Sequence, residues 1–455
     1  MLTPSLPIIP PAPKVHAADL PLWRFLPAFS RNTVSTLPDY AFDAFISRRR
    51  VLGIESMLLS DPAGIRHVLV TAIGKYKRPM SSYRVFRPFA GSGVLLAEGA
   101  EWRRQRRMLA PIFTPNSVDM LLPHFAAAAT ELVRRIEGKT RVNLSMGFQE
   151  ATLEAVLRAL FSLPDTELRE RLAVLVQDYL AGPGRPNILD GFARTESAFP
   201  FATKKRRQFE NAWLTTVDNV IARRQRSAAS LRYGDLLDLL LAARDAETEE
   251  ALPNAEVRDQ CGTMLAAGYE TTARLLFWAA YVLTLDHAQQ NGLRAEIAAF
   301  PPDRVMRLDD LLNWPRVRQT LLESLRLYPP AAYITREAIA DDSIANEPVR
   351  PGTLVWISPW VLHRHRKFWS QPTAFVPDRF ASKPVSWSND GAFMPFGAGP
   401  RICIGATFAI AEAQIMLATL LSRFKITLDD RRPVLPIATV TTAPSHEPLF
   451  QLERV

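Results

Sequence analysis

The sequence predicts a mainly helical fold with a small β-region. Three observations carry this. Residues 116–243 read as helix for most of their length, broken by the Pro- and Gly-bearing stretch 180–201. Residues 254–286 read as one long helix, apolar on nearly every face and therefore buried. The clearest β-signal is confined to residues 333–358, where Pro351-Gly352 turns the chain into the β-branched and aromatic run Thr353-Leu354-Val355-Trp356-Ile357.

The chain has 455 residues, two cysteines, 47% hydrophobic residues and a formal net charge of +9. That composition supplies a sizeable core. Cys261 and Cys403 exclude a disulfide scaffold and suit a reducing compartment. The positive balance admits nucleic acid, an anionic membrane or an acidic protein as partner. Lys and Arg are not gathered in one tail, and no zinc-finger, RRM or P-loop pattern occurs, so nucleic acid is not expected. No segment reaches the ~18 apolar residues that span a bilayer, and no transmembrane anchor is expected. Residues 1–13 hold five prolines and lack the basic start and apolar core of a signal peptide. Residues 1–49 are read as a Pro-rich segment packing on the body, residues 50–455 as a single domain, and the location as cytoplasmic.

Taken in order, residues 54–60 read as a strand and Pro62 as the start of a helix. Residues 76–96, rich in Ser, Gly, Pro and aromatics, read as a long loop. Glu101 opens a helix on which Trp102 and Arg106 share a face, while Arg103, Arg104 and Arg107 project elsewhere. Lys204-Lys205-Arg206-Arg207 reads as a solvated helix face.

Midway along the buried 254–286 helix stand Ala266-Ala267-Gly268-Tyr269-Glu270-Thr271-Thr272. Gly weakens a helix locally, Thr competes for backbone carbonyls, and a buried Glu is costly unless paired. By themselves these residues allow a satisfied polar kink as well as a chemical site. Glu323 and Arg326 face each other on a helix that stops at Pro329-Pro330. Alone they read as an exposed pair worth a few tenths of a kcal/mol. His363-Arg364-His365-Arg366 has no acidic or Cys partner at ligand spacing, so no metal site is expected there.

Cys403 lies in the Gly/Pro-rich run 396–405, just before the strong helix former 406–416. A helix N-terminus favours negative charge because its first amides are unpaired, which biases a thiol toward thiolate, the metal-binding form. Gly399 and Gly405 permit close backbone approach, and Arg401 adds a fixed positive charge. A lone intracellular cysteine is otherwise a small buried hydrophobe.

The whole stretch Phe396-x-x-Gly399-x-Arg401-x-Cys403-x-Gly405 resembles the haem-thiolate signature of the cytochrome P450 family. Further anchors follow in the family's order over roughly residues 50–425. Trp102-x-x-x-Arg106 resembles the pair that donates to a haem propionate. Ala267-Gly268-x-Glu270-Thr271 resembles the oxygen-activation motif. Glu323-x-x-Arg326 with Pro377-Asp378-Arg379-Phe380 resembles the buried triad that supports the cysteine loop; the family more often has Glu at the position of Asp378. Arg336 corresponds to a further propionate ligand.

The resemblance implies a triangular, helix-rich body around a buried haem b, with Cys403 as the iron's axial thiolate. It implies Trp102, Arg106, Arg336 and Arg401 on the propionates, and Phe396, Gly399 and Gly405 shaping the loop. Thr271 and Glu270 would manage protons, and Ala267, Gly268, Ala332 and Tyr333 would line the pocket. The reaction would be oxygen insertion from O2 into an apolar or amphipathic organic substrate. The length leaves no room for a fused reductase, so an external ferredoxin- or flavodoxin-type donor would dock on a basic proximal face bearing Arg103, Arg104 and Arg107. Two other uses of the fold are a peroxygenase or isomerase, which typically lacks the acid–alcohol pair, and a haem sensor without turnover.

Overall fold

A computed structural model describes residues 8–162, 166–186, 188–198, 200–226, 234–382 and 391–455. The chain forms two compact units, each built from separate segments: residues 1–77, 129–149 and 271–455 in the first, and 78–128 and 150–270 in the second.

The helices run in chain order as follows. They begin with α1 (Leu22–Arg31), α2 (Pro62–Arg66), α3 (Met80–Ala90), α4 (Gly99–Leu109) and α5 (Pro115–Ile136). Then come α6 (Leu144–Phe161), α7 (Thr166–Ala181), α8 (Ile188–Phe192), α9 (Pro200–Arg226) and α10 (Leu236–Ala242). The last are α11 (Asn254–Leu285), α12 (His287–Ala299), α13 (Pro315–Leu327), α14 (Pro359–Leu362) and α15 (Ala406–Arg423).

The first unit carries the β-structure. Strands β1 (Ile46–Val51), β2 (Ile54–Leu59), β3 (Tyr76–Lys77), β4 (Arg141–Val142), β5 (Ile334–Ala338), β6 (Asp342–Ile344), β7 (Glu347–Val349) and β8 (Leu354–Ile357) precede α15; β9 (Phe424–Leu428), β10 (Pro436–Ala438), β11 (Thr442–Pro444) and β12 (Phe450–Arg454) follow it. One sheet has the order β1-β2-β8-β5-β3, with β2 and β8 parallel and the other pairs antiparallel. A second has the order β4-β12-β9. The Pro351-Gly352 turn sits where the sequence places it, with Gly352 at φ +87° leading into β8.

The sheet's apolar face is where the cysteine loop rests. Met57, Leu59, Val68, Leu69, Val355 and Ile357 form a buried cluster that takes in Met394, with Ala398 packed against it. Burial of such side chains contributes about 1.5–3 kcal/mol each. A one-turn π-helix, His67–Thr71, continues α2. It is pinned by Asp342, whose carboxylate accepts from His67 Nε2, Lys75 Nζ and Tyr76 Oη, each at 2.8 Å.

Three sequence expectations change here. The boundary placed after residue 49 falls inside β1, which pairs along its length with β2. Residues 76–96 are not one long loop, because Met80–Ala90 is helical despite Pro88. Val85 and Phe89, four apart, are its buried stripe. Residues 180–201 contain the short helix α8, while Asn187 and Phe199 lie outside the described residues, as do residues 1–7 of the N-terminal segment. Ile8 nevertheless bridges to Phe375, and Tyr328 Oη donates to the Pro11 carbonyl at 2.8 Å, so the strap that follows is held on the first unit. Among the described residues no helix is long and apolar enough to cross a membrane.

Candidate active site

The segment 394–405 is a chain of tight turns. The N–H of Gly397 donates to Met394 O at 3.1 Å, that of Ile402 to Gly399 O at 3.0 Å, and that of Cys403 to Phe396 O at 2.9 Å. Gly397 and Gly399 have φ of +77° and +73°, where side chains are strained. At Gly399 a Cβ would also stand 2.7 Å from the Leu69 carbonyl oxygen, so the π-turn and the loop pack flush. Gly405 is the N-cap of α15 at φ −92°, which any residue adopts.

The two cysteines are in opposite situations. Cys261 is fully buried, and burial pushes its thiol well above the ordinary range. Cys403 is exposed, two residues ahead of the α15 N-cap. Of the two, Cys403 is the thiol placed to become a thiolate.

The loop is braced from behind. Glu323 and Arg326 are fully buried and joined by two bonds of 2.7 Å, not an exposed pair as their spacing alone allows. Arg379 Nε reaches Glu323 at 3.1 Å. Trp369 lies beside both guanidiniums, at 5.1 Å from Arg326 and 5.6 Å from Arg379. Glu323 also accepts the Val376 N–H at 2.9 Å, and Arg326 donates to the carbonyls of His363, Pro372 and Ala374. His363 completes the brace: Met394 N–H donates to its Nε2 at 3.0 Å, which leaves the ring proton on Nδ1, facing Arg326 O at 3.2 Å. Sequence reasoning treated His363 only as a rejected metal ligand.

Elsewhere in the first unit, Arg336 is buried on β5 opposite Val355, with Nη1 on the Thr335 carbonyl at 2.9 Å. Arg401 and Phe396 are half-buried in the cysteine loop. Ala332 is buried and its carbonyl accepts from Ser358 Oγ at 2.9 Å. Tyr333 stacks edge-on against Trp356 and donates to Thr33 O at 3.4 Å, so its side chain is engaged in packing toward the turn 33–36. Thr271 is half-buried on α11, and its neighbour Thr272 is buried. The Thr272 hydroxyl faces Glu412 of α15, a fully buried carboxyl that burial pushes well above its ordinary range. Burial thus favours the protonated form of Glu412. Its only sequence signal is a charged residue inside an apolar helix.

In the second unit, α4 presents Trp102 and Arg106, both half-buried. Gln105 fixes the helix by donating to Ser92 O at 3.0 Å and accepting from Gln260 at 2.8 Å. The basic run is largely compensated, contrary to the reading of an open cationic face. Arg104 pairs with Glu101 at 2.7 Å and Glu256 at 2.5 Å, and Arg107 with Asp245 at 2.8 Å and Glu247 at 2.7 Å. Arg103 is exposed. On α11, Ala267 is exposed and Glu270 half-buried. At Gly268 a Cβ would come within 3.1 Å of Val156, so glycine there serves the approach of α6. The helix runs through this interruption unbroken.

The family model for cytochrome P450 matches residues 42–453. This chain belongs to the cytochrome P450 family. Among its relatives are a cytokinin hydroxylase of Arabidopsis thaliana, 29% identical over 86% of this chain and 77% of that protein, and cytochrome P450 4F8 of Homo sapiens, 29% identical over 82% and 76%. A cyclooctatin synthase of Streptomyces melanosporofaciens is 30% identical over 75% of this chain and 74% of that one. The crystal structure of a cytochrome P450 superposes with a TM-score of 0.79 at 23% identity, covering 98% of this chain and all of that one. As a cytochrome P450 the chain is a monooxygenase, and the family implies haem with thiolate ligation. The first unit's residues fit that group: an exposed thiol ahead of a helix N-terminus, and two arginines, Arg336 and Arg401, whose fork of donors suits carboxylates.

Proposed function

We propose that Cys403 would supply the thiolate ligand to the iron of a haem b, and that the enzyme inserts one oxygen atom into an apolar or amphipathic organic substrate. The observation that carries this is the exposed Cys403 thiol on a glycine-shaped loop at the head of α15. Haem, when bound, supplies the activation of dioxygen, with electron density pushed by the thiolate. The chain's own residues do the rest. Arg336, Arg401, Trp102 and Arg106 would hold the propionates through charged and indole donors. The Thr271 hydroxyl orients a water, and Glu270, half-buried beside it in sequence, passes protons inward from solvent. Ala267, four positions before Thr271, keeps that face of α11 small, while Gly268 admits Val156 of α6. Glu323, Arg326 and Arg379 position the loop and touch no reactant.

Electrons come from an external ferredoxin- or flavodoxin-type donor. Because Arg104 and Arg107 are already paired, α4 contributes Arg103 and little further net charge to any docking face. The cytoplasm is the compartment we assign.

The test is the spectrum of the dithionite-reduced protein with carbon monoxide, for wild type and Cys403→Ala. A strongly red-shifted Soret band in the wild type, absent from the variant, is expected. A folded wild type that binds no haem, or gives a histidine-type band, overturns the assignment. Product formation with a surrogate donor then separates a monooxygenase from a haem sensor.

A further inference from the structure

Within the first unit, between the N-terminal strap and the end of α13, lies a groove of about 360 Å³. Residues 9–12 of the strap form one wall, and Leu327, Tyr328, Arg364 and Thr373 line the rest. The strap is pinned by the Ile8–Phe375 bridge and by the Tyr328 hydroxyl, which donates to Pro11 O at 2.8 Å. Pro10 and Pro11 fix their own φ, so this wall is rigid before any ligand arrives. With the Tyr328 hydroxyl used in this way, the polar side chains left on the lining are Arg364 and Thr373. The groove shares no residue with the site assigned above to haem, dioxygen and protons.

Arg364 is the unusual member of this lining. It is only 6% exposed. Trp360 stacks on its guanidinium, with the ring centroid 3.6 Å away. Two of the five N–H donors meet carbonyls, that of Leu327 and, at 3.4 Å, that of Trp360. Among the described residues no carboxylate pairs with Arg364. Glu323, whose charge reaches it, is bonded to Arg326. Arg366, two positions on, shows the contrast, because Asp39 and Asp43 both hold it. Burial, and after it the like charge of Arg326, lowers the Arg364 pKa. A buried cation without an anion is costly, and the complement of a partly used guanidinium fork is a carboxylate.

We infer that this groove is a second ligand site, which takes a small aromatic carboxylate with its anion on Arg364 and its ring against Pro10, Pro11 and Leu327. One unmatched positive charge suits a monoanion. A preformed apolar wall suits a flat, rigid body better than a flexible chain, which would lose more freedom on binding. The volume is in the range of small-molecule pockets.

The experiment titrates the haem-loaded enzyme with 2-naphthoate and with its neutral isostere 2-naphthamide, by calorimetry at pH 7.5 and low salt. Naphthoate is expected to bind one to one and at least tenfold tighter than the amide. Arg364→Gln is expected to erase that preference. Thr373→Trp, at the exposed rim, keeps the guanidinium but obstructs the groove, and is expected to weaken naphthoate at least tenfold. With imidazole saturating the iron, naphthoate affinity is expected to stay within twofold. Equal affinity of acid and amide overturns the inference, whether or not Arg364→Gln folds. So does a preference that survives in a folded Arg364→Gln, or an unchanged affinity in Thr373→Trp. Competition with imidazole would put the ligand at the haem and overturns it too. Acetate binding as tightly as naphthoate would remove the aromatic part. Calorimetry reads the groove whether or not the thiolate assignment stands, so the two readings fail separately.

Discussion

Arg326 and His363 bond to each other in both directions: Arg326 Nη1 donates to the His363 carbonyl at 2.8 Å, and His363 Nδ1 faces the Arg326 carbonyl at 3.2 Å. The other ring nitrogen receives the N–H of Met394, nine residues before Cys403. One imidazole thereby ties the Glu323–Arg326 helix to the start of the cysteine loop.

That tie has a pH signature. Burial, followed by the charges of Arg326 and Arg364, lowers the His363 pKa from 6.5 to about 3. Because the folded value is the depressed one, the unfolded chain gains a proton first. The contribution to stability is complete above pH 6.5 and is lost as pH falls toward 3. His363→Gln is expected to flatten the acid limb between those limits. It should also cost roughly 1–3 kcal/mol at pH 8, where a buried donor or acceptor is left unpaired. Urea melts at stepped pH measure both; parallel curves for wild type and variant would contradict the argument.

Gly399→Ala should damage the loop for two reasons, the +73° φ and a Cβ only 2.7 Å from the Leu69 carbonyl. Gly53, in the β1–β2 turn at φ +85°, has nothing within 4 Å of a would-be Cβ. Gly53→Ala therefore carries only the conformational cost, roughly 1–2 kcal/mol. The Gly399 variant is expected to exceed it in thermal denaturation and to weaken the thiolate-type Soret band, which Gly53→Ala leaves intact. Equal effects at the two sites would remove the steric part of the account.

Glu412 has the opposite sign to His363. Its folded pKa is raised by burial, so above the ordinary carboxylate range the unfolded chain ionises while the folded one does not. Stability then falls as pH rises through that window, by up to about 1.4 kcal/mol per pH unit. Glu412→Gln lacks this loss and should be at least as stable as wild type at pH 8, with the gap closing toward pH 4. A variant less stable at pH 8 than at pH 4, relative to wild type, would mean that the carboxyl is ionised and paired in the fold.

The charge compensation on α4 bears on electron transfer. With Arg104 and Arg107 held by acids of their own chain, Arg103→Ala is expected to change the rate of reduction by an acidic ferredoxin less than threefold at low salt. Stopped-flow reduction across an ionic-strength series checks this; a larger drop would restore α4 as the docking face.

What the sequence makes legible is local. The turn at Gly352, the head of α15 at Cys403 and the face shared by Glu323 and Arg326 all follow from neighbours within a few positions. What it hides is the company a residue keeps. Lys204, Lys205 and Arg207 are exposed, yet Arg206 among them is buried, because Asp190 waits for it 16 positions upstream. Residues 76–96 resemble a loop by composition, and α3 forms because Val85 and Phe89 find an apolar partner surface. Likewise nothing local to His363 announces that Met394 will donate to it across 31 positions.

The brace around the cysteine loop also has an order in time. Leu69, Glu323, Arg326, His363 and Arg379 all precede Cys403 along the chain. Synthesis from the N-terminus therefore releases the frame before it releases the thiol. Helix α15, whose unpaired amides favour the thiolate, emerges directly afterwards. The Cys403 sulfur is the late arrival at a seat whose supports have already left the ribosome, which shortens the interval in which an exposed thiol meets oxidants before it is positioned.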